Sequence, residues 1–203
     1  MAIFLACDEF EHGFGWREEG FLERTSHALV ADGSCWLVDP LADDAFEERV
    51  RASGRPAGVI QLLDRHKRDC AEVAERLGVP LHVVPFAGIA GSPFTFVRAS
   101  RVPRWKEVAL WWPEARVAVF ADAIGTASYF RARGERLAVH PFLRLLPPRA
   151  MARALSPRHV LCGHGEGVHG DEAAALLDEA LATARRRIPY WLLGQIRGRS
   201  KGF

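Results

Sequence analysis

Apolar and polar positions along the chain fall into short runs that alternate between strand and helix periods. The opening run AIFLAC (2–7) predicts a strand, whereas residues 8–19 are polar, glycine-bearing and aromatic and predict a loop. GFLERTSHALVADGSCWLVDP (20–40) carries strand signals on both sides of Asp32-Gly33. That dipeptide tolerates the positive φ angles of a tight hairpin turn. The second arm closes at Asp39-Pro40. In LADDAFEERVRAS (41–53) apolar residues recur at helical spacing, and the acidic residues come early, where they complement a helix dipole. Gly54 ends that helix.

AGVIQLL (57–63) predicts a buried strand and RDCAEVAERLG (68–78) a helix stopped by Gly78. LHVVPF (81–86) predicts the next strand, and residues 87–93 a glycine- and proline-bearing loop. Three more strands are expected at FTFVRA (94–99), EVALWW (107–112) and RVAVFADA (116–123). Helices are expected over 148–155 and 171–187, on either side of HVLCGHG (159–165), a strand running into a glycine-rich turn. Strands meet helices in both halves of the chain, and the hairpins at 20–40 and 107–123 argue against an all-parallel sheet. The predicted architecture is a four-layer αββα sandwich, two sheets face to face with helices outside, spanning residues 1–203 as one domain. An ordinary doubly wound sheet is the alternative.

Composition narrows the function classes. Lys and Arg number 27 and Asp and Glu 25, a formal net charge of +2, which gives no electrostatic argument for a nucleic-acid partner. The four cysteines (Cys7, Cys35, Cys70, Cys162) include no C-x-x-C pair and read as reduced thiols. No apolar run is long enough to span a bilayer, and MAIFLACDEFEHG lacks the basic start of a signal peptide. A cytoplasmic location without membrane contact is therefore expected. Trp111 and Trp112 are adjacent on a strand, so one of them faces away from the core. That residue and the apolar segment IPYWLLGQIRG (188–198) leave room for a homo-oligomer or for docking on the chain itself.

Three segments put polar side chains just after an apolar strand: Asp64 to Cys70 after VIQLL, Asp122 after VAVFA, and Gly163-His164-Gly165 after HVLC. Strand ends in α/β folds converge on a crevice where ligands bind. No G-x-S-x-G nucleophile turn and no phosphate-binding glycine motif is present. Cys162 reads as core. Cys70, at a helix start near basic groups, is better placed for a lowered thiol pKa, although packing also explains it.

Taken together, RTSHALVADGSCWLVDP, GVIQLLDRHKRDCAEVAERLGVPLHV, VAVFADAIG and HVLCGHGEGV resemble the metallo-β-lactamase superfamily, the fold of glyoxalase II and related hydrolases. The resemblance implies a metal loop T-H-x-H-x-D-H, a metal-bridging aspartate at Asp122 and a last metal-binding histidine at His164. Laid on Asp64–Cys70, that loop keeps only Asp69. Arg65 and Lys67 replace two histidines, Cys70 replaces a third, and His66 falls between ligand positions and is expected to point away. No histidine lies between His82 and His140 to match the family's middle ligand.

Arginine and lysine offer protons and positive charge, not lone pairs, so they repel a divalent ion. The expectation is a degenerate site that favours no metal. There Arg65 and Lys67 neutralise Asp69 and Asp122, and a small anionic ligand is bound by Arg65, Lys67, Asp69, Asp122 and His164. The alternative is a hydrolase of an ester, thioester or phosphoester, with a single zinc on Asp69, Cys70, Asp122 and His164.

Overall fold

Six strands form the first sheet: β1 (Phe4–Phe10), β2 (Gly13–Glu18), β3 (Thr25–Ala31), β4 (Ser34–Val38), β5 (Arg55–Gln61) and β6 (Leu81–Val83). They lie in sequence order across the sheet. β1 to β4 are antiparallel neighbours, and β4, β5 and β6 run parallel through helices α1 (Asp44–Ser53) and α2 (Cys70–Leu77). The computed structural model describes residues 3–149 and 155–199.

A second sheet has the order β13 (Val168–His169), β12 (His159–Cys162), β9 (Val117–Phe120), β8 (Val108–Trp112), β7 (Thr95–Arg98). A short antiparallel pair, β10 (Ile124–Gly125) and β11 (Ala138–Val139), stands beside it. Helices α3 (Ala173–Thr183) and α4 (Ile188–Arg199) follow. The helix expected over 148–155 falls largely outside the described residues.

Side-chain alternation builds the layers. On β4, Trp36 and Val38 pack between the sheets with Ile60, Val108, Leu110 and Val119. Cys35 and Leu37 point the other way, into a second core with Val50 of α1 and Val73 of α2. The period of two along a strand thus supplies both faces of the first sheet. α3 buries Ala173, Leu177, Ala180 and Leu181 against the far side of the second sheet. The four-layer sandwich expected from the sequence is the observed architecture.

The loop expected over 8–19 is instead a hairpin, β1 to β2. Gly13 and Gly15 lie inside it, and there they permit close approach to β3: a Cβ on Gly13 would fall 2.0 Å from the Ala28 carbonyl oxygen. Asp8 sits in a bulge between Cys7 and Phe10, where it takes φ 51°. Trp111 is the less buried member of the tryptophan pair, with Trp112 in the core. Trp191 of α4 donates its indole N–H to the Tyr129 carbonyl at 2.7 Å, so the C-terminal helix docks on its own chain. No described helix is long and apolar enough to cross a membrane.

Candidate metal centre

Parallel pairing decides which side chains meet. β9 and β12 are parallel neighbours, so Asp122 and His164, just past their C-terminal ends, stand side by side. β4 and β5 are parallel neighbours in the other sheet, so Asp39 and the loop after Gln61 emerge together. An antiparallel bridge between Leu63 and Glu107 and another between Arg24 and His164 join the two edges.

Three side chains converge at this junction. Asp122 Oδ1 lies 3.0 Å from His66 Nε2 and 3.1 Å from His164 Nε2, and the two Nε2 atoms are 3.3 Å apart. All three side chains retain slight exposure, 7–11%. His66 therefore faces the site, contrary to the expectation that it points away. The loop turns tightly after β5, with the His66 amide donating to the Leu63 carbonyl at 2.9 Å, and this swings His66 across the strand ends. Arg68, not Asp69, is the loop residue that turns into the junction, where it donates to the carbonyls of Thr25, Asp39 and Gly163.

The other loop residues go elsewhere. Asp69 precedes α2 and accepts the Ala42 amide at 2.9 Å. Cys70 is buried beneath the loop, its thiol 3.7 Å from the His66 carbonyl oxygen, and burial pushes its pKa up, not down. Lys67 is exposed and makes no ion pair among the described residues. Of the two cations expected to neutralise the acids, only Arg65 does so, at 3.5 Å from Asp122 Oδ2. Neither Asp69 nor Cys70 belongs to the converging group.

Each imidazole is held by its far nitrogen. His164 Nδ1 lies 2.7 Å from the Leu22 carbonyl oxygen, which only accepts, so Nδ1 carries the proton. His66 Nδ1 lies 3.3 Å from Asp39 Oδ2. Both Nε2 atoms are thereby aimed at the carboxylate. Histidine ligands of metals are commonly oriented in this way, through a carbonyl or carboxylate on the distal nitrogen. The set of two imidazoles and one carboxylate matches the donors that hold zinc with a coordination position left open, so the residues fit such an ion.

The surroundings favour positive charge at the centre. Burial works against the Asp122 charge, but hydrogen bonds from His164 and His66 outweigh it and hold its pKa far below the carboxylate range. Burial and the Arg68 charge oppose protonation of His66, yet Asp122 and Asp39 lift its pKa above the ordinary value. Without a metal, a proton on His66 Nε2 satisfies the same demand.

Three further residues support the centre, and of these Asp39 and Glu107 were not singled out from the sequence. Asp39, in a left-handed conformation (φ 45°), accepts the Leu62 amide at 3.0 Å besides holding His66. Its signal was the Asp-Pro step closing β4. Glu107 is fully buried and accepts the amides of Ala121, Asp122 and Ala123 at 2.9–3.1 Å and the Trp105 indole at 2.6 Å. Burial and the nearby Asp122 charge push its pKa up to about 7. Its signal was one acidic residue heading an otherwise apolar strand. Arg68, in a left-handed conformation (φ 42°), donates to the carbonyls of Thr25, Asp39 and Gly163. Those bonds tie both terminal nitrogens of its guanidinium to the junction.

The mouth is partly aromatic. Arg65 lies over the Trp105 ring at 4.2 Å, and Phe21 stacks on Tyr129 at 5.3 Å, whose ring meets His164 edge-on at 5.8 Å.

No family model and no curated protein matches this sequence. Solved structures do match in shape. A metallo-β-lactamase from Pontibacter korlensis superposes with a TM-score of 0.62 at 8% identity, covering 89% of this chain and 99% of that one. The fold is the metallo-β-lactamase fold. A metallo-β-lactamase from Hirschia baltica and the DIM-1 metallo-β-lactamase exposed to ceftazidime each give a TM-score of 0.60 at 12% identity, covering 89% of this chain and 97% of theirs. Identities this low carry the metallo-β-lactamase architecture alone, and the chemistry must be argued from His66, Asp122 and His164.

Proposed function

We propose that this chain is a one-metal hydrolase of a small anionic ester, thioester or phosphoester, with His66, Asp122 and His164 as the metal ligands. The observation that supports it is the pair of distal contacts, Nδ1 of His66 to Asp39 and Nδ1 of His164 to Leu22, which turn both Nε2 atoms onto Asp122 Oδ1. A zinc ion held there would supply Lewis-acid activation of water and of the substrate's acyl or phosphoryl oxygen. Asp39 and the Leu22 carbonyl keep the imidazoles in one tautomer and orientation. Glu107 fixes the turn that presents Asp122. Arg65, stacked on Trp105 and half exposed, pairs with the substrate's anionic group. Phe21 and Tyr129 form an apolar wall beside His164 for the remainder of the substrate.

A metal-free reading has its own observation. Arg65 already contacts Asp122 Oδ2 at 3.5 Å, so a cation neutralises the acid without an ion. In that reading the chain is a non-catalytic binder of a small anion held through Arg65. Metal analysis of protein purified without chelator separates the two. About one zinc per chain, lost in His66→Ala and His164→Ala together with turnover of a generic thioester or phosphodiester, supports the hydrolase. Metal-free protein without turnover, showing an anion-dependent thermal shift that Arg65→Ala abolishes, supports the binder and sinks the hydrolase.

A further inference from the structure

A second group of histidines lies apart from the Asp122 centre, at the β12–β13 edge of the second sheet. His159 and His169 sit directly opposite each other in that antiparallel pair. Their ring centroids are 5.2 Å apart and their Nδ1 atoms 2.9 Å apart. Phe10 packs on both rings, at 4.7 and 5.6 Å. The distal nitrogens face carboxylates. His169 Nε2 lies 3.0 Å from Asp8 Oδ1, and His159 Nε2 lies 3.5 Å from Glu11 Oε1.

Counting protons shows what this group lacks. Asp8 accepts the Gly167 amide on Oδ1 at 2.7 Å and faces His27 Nε2 through Oδ2 at 3.1 Å. Asp8 serves as an acceptor, so His169 donates from Nε2, and a neutral His169 then has a bare Nδ1. If His159 carries its proton on Nδ1, that contact is satisfied. Its Nε2 is then left bare, buried and without a hydrogen-bond partner, beside a carboxylate that also only accepts. If the proton is on Nε2, Glu11 is served and two lone pairs confront each other across 2.9 Å. Neither neutral arrangement satisfies the group. It is one cation short.

We propose that His159 and His169 bind one divalent copper or nickel ion through their Nδ1 atoms, at a site distinct from the His66–Asp122–His164 centre. Asp8 and Glu11 then hold the distal N–H groups, the arrangement usual behind metal-bound imidazoles. With metal–nitrogen bonds of ~2.0–2.1 Å, two nitrogens 2.9 Å apart subtend roughly a right angle at the ion. That is the cis angle of tetragonal copper(II) and nickel(II) sites, narrower than the tetrahedral angle of zinc. Copper(II) also leads the first-row series in affinity for nitrogen donors. His169 is 30% exposed and Glu11 60% exposed, so the pair lies at a solvent-facing edge of the sheet.

The test titrates chelator-treated full-length protein with copper(II) alone, counting equivalents by calorimetry and reading nitrogen hyperfine structure by electron paramagnetic resonance. The expected result is two equivalents for the native chain and one for His169→Ala. His66→Ala should instead lose the other equivalent and keep a two-imidazole signal. A native chain that binds a single equivalent, lost in His66→Ala, would overturn the proposal. So would a His169→Ala protein that still binds two. Should His169→Ala fail to fold, the remaining copper signal of His66→Ala decides: two equivalent imidazole nitrogens support the site, and one or none ends it.

Discussion

His66 Nε2 and His164 Nε2 lie 3.3 Å apart although 98 residues separate them along the chain. Both point at one oxygen of Asp122. Two imidazole nitrogens and a carboxylate at such short range are stable only around a positive charge, whether a proton or a metal ion. A bound ion that the unfolded chain does not hold adds to stability by mass action: at a hundredfold excess over the dissociation constant the gain is about 2.7 kcal/mol. For a chain of this length that corresponds to roughly 5–10 °C in Tm. Differential scanning fluorimetry of chelator-treated protein with zinc should give a shift of that order. His164→Ala should remove most of it. An unchanged shift in that variant would place the zinc elsewhere.

Arg65→Ala should leave the fold intact, because the side chain is half exposed and its ion pair with Asp122 is long. Surface substitutions of this kind usually change stability by less than about 0.5 kcal/mol. The loss should fall on substrate. We expect KM for an anionic thioester or phosphoester to rise about tenfold, with a neutral ester of the same size much less affected, the pattern of a lost charge-assisted contact. Equal losses on charged and neutral substrates would assign Arg65 a different role.

Arg68→Met should be far more damaging. The guanidinium bonds three carbonyls, those of Thr25 and Asp39 from the first sheet and Gly163 from the turn that carries His164. Methionine fills a similar volume but removes all three charge-assisted bonds, although the Asp39 and Gly163 carbonyls keep a second donor each, Ser26 Oγ and the Thr25 amide. A hydrogen bond from a charged group is worth about 1.5–3 kcal/mol, and removing the buried charge gives back part of that as relieved desolvation, so a net loss of roughly 3–5 kcal/mol in urea denaturation is expected. A cost below about 1 kcal/mol would mean that water replaces the bonds without penalty.

The fold was legible because strands such as VIQLL and VAVF are short, apolar and followed by glycine, proline or helix-period segments. The unbroken apolar run CWLV of β4 reflects burial of both its faces, Trp36 towards one sheet and Leu37 towards the helices. The β1–β2 hairpin was hidden because its glycines serve close packing against β3, a tertiary reason with no local signature. At the site, Asp122 and His164 were readable from strand ends. His66 was not, because the tight turn after β5 brings both Arg65 and its neighbour His66 to Asp122, which strict alternation along the loop does not allow. Spacing alone fixes only which residues alternate, and the turn at Leu63–His66 breaks that alternation. Glu107 was invisible for a different reason: its role is to collect three backbone amides, and backbone partners leave no trace in a residue pattern.

His140 supplies a pH dependence with a definite sign. It begins the short 3-10 turn Pro141–Leu143, accepts the Phe142 amide on Nδ1 at 3.2 Å, and packs against Phe130 and Trp105. Burial pushes its pKa down from 6.5 to about 4. Between those values the unfolded chain binds a proton at this residue and the folded chain does not. Stability therefore rises with pH across this window. The contribution is complete above 6.5 and is lost as pH falls through 4. The fully developed effect is roughly 2 kcal/mol after allowance for the ring's residual exposure. His140→Asn keeps an oxygen able to accept the Phe142 amide but cannot titrate. Urea midpoints measured at pH 7 and pH 4.5 should differ less in that variant than in the native chain, by most of that amount. Carboxylates such as Asp8 and Asp122 also bring acid sensitivity, but their pKa values are held far below this window, so they stay charged while His140 titrates. An identical pH slope in the two proteins would show that the ring is protonated in the folded state without strain.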